Sequence, residues 1–71
     1  MSADFELAVK IRDKLAATRR DLGNVAILVI NGHVSLRGPV PSYHLRQVAI
    51  DRARRVPGVR QVTDEMRVDD Y

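Results

Sequence analysis

The sequence predicts one α+β domain. The expected element order is α-β-β-α-β, with a mixed three-stranded sheet in order 2-1-3 and two helices packed on one face. Three observations carry this. Two segments repeat apolar residues at helical spacing. Between them, Val25-Ala26-Ile27-Leu28-Val29-Ile30 is an apolar run rich in β-branched residues, followed by the hairpin dipeptide Asn31-Gly32. Pro57-Gly58 then parts the second helical segment from a last strand.

The first helix is expected over residues 4–20. Leu7, Ile11 and Leu15 recur every four residues, while Lys10, Asp13, Lys14 and Arg20 fall mainly on the other side. Ser2 or Asp4 is suited to cap its start, and Gly23, in Asp21-Leu22-Gly23-Asn24, to end it in the left-handed conformation. The length of the run 25–30 favours a strand. Asn31-Gly32 supplies the positive φ angles of a type I′ turn. His33-Val34-Ser35-Leu36-Arg37 then alternates with period two, and Gly38-Pro39-Val40-Pro41 is expected to break the pairing, because proline cannot donate to a ladder.

Ser42 is a natural N-cap for a helix over 43–55, whose inward stripe is Leu45, Val48, Ala49, Ala53 and Val56. The last strand spans 59–68, with Val62, Met66 and Val68 as its apolar positions. Thr63 to Glu65 has no apolar residue, which points to a bulge or an irregular start. A right-handed crossover from the second to the third strand favours the apolar first strand as the centre of the sheet.

Seventy-one residues make a single domain, 1–71. So short a chain buries about 60% of the surface its unfolded form exposes. Cysteine is absent, so no disulfide supports it. The net charge is +3 and uneven: residues 44–60 carry five arginines against Asp51, whereas residues 61–71 carry four carboxylates against Arg67. The polar, acidic start and the lack of any run near the roughly 20 apolar residues of a membrane span set the expected location. It is the cytoplasm as written, and the periplasm or envelope if the chain is an excised domain.

One pattern joins these elements. It is Val29-Ile30-Asn31-Gly32-His33-Val34-Ser35-Leu36-Arg37-Gly38-Pro39-Val40-Pro41-Ser42, then Ala49 and Ala53, then Val56-Pro57-Gly58-Val59-Arg60-Gln61-Val62. It resembles the BON domain, named for bacterial osmotically inducible and nodulation proteins, over nearly the whole chain from Leu7 to Val68. The resemblance implies a three-stranded sheet with two helices on one face and a non-catalytic role. It implies association with phospholipid surfaces, mostly in bacterial envelopes, and in one branch potassium binding. Asn31, Gly32, Gly38 and Gly58 carry over as backbone devices only.

Two surfaces are candidate contacts. If Val25, Ile27 and Val29 face the helices, Ala26, Leu28 and Ile30 face water and form a candidate interface for self-association or another protein. A central strand whose outer side chains are sheltered by Arg37 and Arg67 is the bland alternative. Arg46, Arg54 and Arg55, with Tyr43 beside them, are candidate contacts to lipid phosphates, since a guanidinium donates two parallel hydrogen bonds. The alternative there is a solvated helix with an Asp51–Arg55 pair at i,i+4. An apolar patch flanked by arginines on one side favours lipid, and arginines on the opposite side favour a protein partner.

RNA is not an expected partner, because no Gly-x-x-Gly loop is present and Phe5, Tyr43 and Tyr71 are the only aromatics. His33 and His44, without cysteines or a nearby carboxylate pair, do not make a metal site. Ser35 and Ser42 lack a matched base, so neither catalysis nor a cofactor is expected. A potassium site would use backbone carbonyls, which leave no mark in a sequence.

Overall fold

A computed structural model describes residues 3–69. Its elements are α1 (Ala3–Thr18), a short 3-10 helix (Arg20–Asn24), β1 (Ala26–Ile30), β2 (His33–Val40), α2 (Tyr43–Arg54) and β3 (Gln61–Val68). The α-β-β-α-β order and the mixed sheet are those the sequence predicts. β1 pairs antiparallel with β2, and β2 pairs parallel with β3.

The strand order corrects the expectation. It is β1-β2-β3, with β2 and not β1 in the centre. Length explains this. β3 pairs all eight of its residues with the eight of β2, from His33↔Gln61 to Val40↔Val68, whereas β1 offers only five positions. The central place is also written in burial, since Val34, Leu36 and Val40 are at most 1% exposed. β1 becomes an edge strand.

The pairing of β2 runs through Gly38-Pro39-Val40 rather than ending there. Residues of β2 that bond toward β1 alternate from His33, so Pro39 faces the side where β1 has already stopped, at Ala26↔Arg37. Its missing N–H therefore costs no ladder bond. β3 has no bulge, and it starts at Gln61 rather than Val59.

Leu7, Ile11 and Leu15 of α1 and Leu45, Ala49 and Ala53 of α2 share one core with Val34, Leu36 and Val40, so both helices lie on the same face of the sheet. α1 is two residues shorter at its C-terminus than expected: the Thr18 hydroxyl donates back to the Lys14 carbonyl at 2.8 Å, and Arg19 is extended. Gly23 sits in the 3-10 helix without a positive φ, which Asn31, Gly32, Gly38 and Gly58 do adopt. Ser42 caps α2, its Oγ accepting the Leu45 N–H at 3.1 Å. Ser2, the other proposed cap of the first helix, lies outside the described residues.

Asp4 is no N-cap. It lies within the first turn of α1, and its carboxylate accepts the N–H groups of Asn31 at 2.9 Å and Gly32 at 3.2 Å. On its other side, Gly32 accepts the Arg60 N–H at 2.9 Å. The hairpin turn, the start of α1 and the Pro57–Arg60 loop are thereby tied at one end of the molecule.

Candidate functional site

Alternation along β1 sends Val25, Ile27 and Val29 toward the helices and Ala26, Leu28 and Ile30 to the outer face. All three outer residues are exposed, Leu28 to 46% and Ile30 to 58%. Because β1 is at the edge, only β2 flanks them, with Arg37, Ser35 and His33 at the facing positions. Arg37 does not lie over the strip as an unpaired cation. It donates through Nε to Glu65 on β3 at 3.1 Å, and Arg67 is 3.5 Å from Asp69. The outer sheet face is thus neutral, with an apolar column at one border.

The four candidate lipid contacts are not brought into one cluster. Tyr43 and Arg46 sit at the start of α2, and the ring of exposed Tyr43 lies 5.2 Å from the Arg46 guanidinium. Arg46 turns inward to Asp64, with Nε 2.6 Å from Oδ2, as a close ion pair without hydrogen-bond alignment. Arg54 and Arg55 lie about 12 Å further along the helix, at 1.5 Å per residue. Arg55 pairs with Asp51 at 3.2 Å, the i,i+4 contact of the bland reading. Arg54 is exposed and has no ion pair among the described residues.

Asp64 escaped sequence reasoning, although a signal was present. It occupies an inward position of the period-two series Val62, Asp64, Met66, Val68, where a carboxylate needs a partner. Its other oxygen accepts the Met66 N–H at 2.9 Å.

Summed by layer, the excess of positive charge lies in the helices. The helices α1 and α2 carry six cations against four carboxylates, and the three strands carry two against two. Lys10, Arg12 and Lys14 of α1 and Arg52 and Arg54 of α2 have no ion pair among the described residues. Because both helices cover the inner face of the sheet, exposed Arg54 and Arg55 and the apolar strip of β1 lie on opposite sides.

Two grooves flank α1. One, of about 580 Å³, lies between its first turns, the hairpin turn and the loop after α2; Asp4, Glu6, Lys10 and Arg60 line it. The other, of about 280 Å³, runs between α1 and the β1 edge, lined by Phe5, Ala8, Val9 and Arg12 on one side and Val25, Ala26 and Ile27 on the other. Among the described residues, no cluster of His, Cys, Asp and Glu fits a metal ion, and no helix is long and apolar enough to cross a membrane.

The family model of the BON domain matches residues 3–70. No curated protein matches the chain.

Proposed function

Because the chain belongs to the BON domain family, a family of binding modules, we propose that it is a non-enzymatic docking module whose basic helix layer meets an anionic phospholipid surface. The observation that carries this is that Lys10, Arg12, Lys14, Arg52 and Arg54, all on the helices, have no ion pair among the described residues. Exposed cations without internal partners keep their full field for an outside anion, whereas a paired arginine must first give up its carboxylate. Lys10, Lys14 and Arg54 therefore contribute more than Arg46 or Arg55. Exposed Tyr43 adds an amphipathic ring of the kind that sits at headgroup depth.

The apolar strip takes no part in this contact, since it lies on the far side of the sheet. With the arginines of α2 on the opposite side, the strip itself favours a protein partner, through Ala26, Leu28 and Ile30, and the lipid reading rests on the unpaired helix cations alone.

Co-sedimentation with vesicles tests the lipid contact. Binding to vesicles containing phosphatidylglycerol, absent on pure phosphatidylcholine and lost as salt is raised, supports it. Equal binding to both vesicles removes the cations from the account.

A further inference from the structure

The two borders of the sheet are unlike. β3 ends the sheet with Gln61, Thr63, Glu65 and Arg67 on its outer face, and its Met66 N–H is capped by Asp64. Charges and internal caps of this kind keep an edge from pairing with another chain. β1 has neither. All five of its residues are apolar, and none is charged or proline.

The hairpin sets which backbone groups are open. Ile30 and His33 flank the two-residue turn, so Ile30, Leu28 and Ala26 exchange their hydrogen bonds with β2. The N–H and C=O groups of Ile27 and Val29 point the other way. Among the described residues, nothing bonds to them there.

We propose that β1 is a dimerisation edge. Two copies pair their β1 strands antiparallel about a two-fold axis at Leu28, which makes one six-stranded sheet from two three-stranded ones. In this register Ile27 and Val29 of each copy exchange both backbone bonds with Val29 and Ile27 of the other. Leu28 meets Leu28, and small Ala26 meets large Ile30, so the outer strips merge into one apolar band.

A second copy is the occupant that the strand's own pattern fits, since under the two-fold at Leu28 the open groups of Ile27 and Val29 satisfy one another and small Ala26 lies opposite large Ile30. The chain carries +3 overall, which opposes association in general, but β1 itself brings no charge to the seam. The isologous geometry also closes, leaving only the protected β3 edges exposed. The groove beside β1, lined on its helix side by Phe5, Ala8, Val9 and Arg12, borders the seam. This proposal is independent of the lipid contact, which uses the helix layer.

Sedimentation across a concentration series tests it, together with two variants. The wild type is expected to reach twice the chain mass. Ile27→Pro deletes an outward N–H and leaves the β2 ladder intact, and Leu28→Lys places like charges on the two-fold axis; both are expected to give folded monomers by circular dichroism. Amide exchange at Ile27 and Val29 should slow in the dimer. A wild type that remains monomeric at NMR concentrations overturns the proposal, and so does a dimer that survives either substitution. Should Ile27→Pro fail to fold, Leu28→Lys and the exchange rates decide, with fast exchange of both amides in a dimer counting against edge pairing.

Discussion

Asp4 and Asn31, 27 residues apart in sequence, are joined by a carboxylate that accepts the turn's N–H at 2.9 Å and reaches the next N–H, of Gly32, at 3.2 Å. One side chain at the start of α1 thus satisfies both central donors of the β1–β2 turn. Charge-assisted bonds of this kind contribute about 1.5–3 kcal/mol when well shielded. Asp4 is half-buried, so Asp4→Ala is expected to cost about 1–2 kcal/mol in chemical denaturation, and Asp4→Asn, which keeps one acceptor, less. A loss under about 0.3 kcal/mol would mean that water replaces the carboxylate without penalty.

Gly32 and Gly23 should respond in opposite ways to alanine. Gly32 has φ +81°, and an added Cβ would sit 3.0 Å from Arg60 Cγ and 3.1 Å from the Gly58 carbonyl oxygen. Gly32→Ala is expected to cost about 1–3 kcal/mol. At Gly23 nothing lies within 4 Å of such a Cβ and φ is ordinary. Gly23→Ala should be neutral or stabilising by up to about 1 kcal/mol. Thermal melts of the two variants check the contrast.

The Arg46–Asp64 pair should show strong coupling. Both side chains are partly covered, at 32% and 22% exposure, so removing either partner leaves the other charge poorly solvated. Each single alanine variant is expected to cost about 1–3 kcal/mol, and the double variant clearly less than the sum. A double-mutant cycle measures this, and additivity would show that the two side chains act separately.

Replacing Lys14 and Arg54 together by glutamine should weaken binding to anionic vesicles by about 2 kcal/mol, roughly thirtyfold. Arg55→Gln, whose cation is already held by Asp51, should matter less. Vesicle titration at fixed salt checks the ranking, and equal effects from all three positions would mean that the ion pair does not restrain Arg55.

What the sequence disclosed follows from which signals are local. The period of Leu7-Ile11-Leu15, the Asn31-Gly32 turn and the Ser42 cap each act within a few residues, and the elements they define are present. Strand order depends on competition between pairings far apart in the chain. The apolar richness of β1 suggested a centre, but the eight-residue match of β2 with β3 decided it. Pro39 looked like a break because its neighbour on the β1 side was not known to end first. The same holds at the surfaces. Alternation was enough to place Ala26, Leu28 and Ile30 on one face, whereas the partners of Arg46 and Asp4 lie 18 and 27 residues away. No local pattern separates a held cation from a free one.

The most direct measurement is a titration of the labelled chain with anionic micelles, followed by amide shifts. The account predicts movement concentrated on the outer sides of α1 and α2, around Lys10, Lys14 and Arg54, with Ala26, Leu28 and Ile30 unmoved. Shifts confined to β1, or the same shifts with zwitterionic micelles, would contradict it.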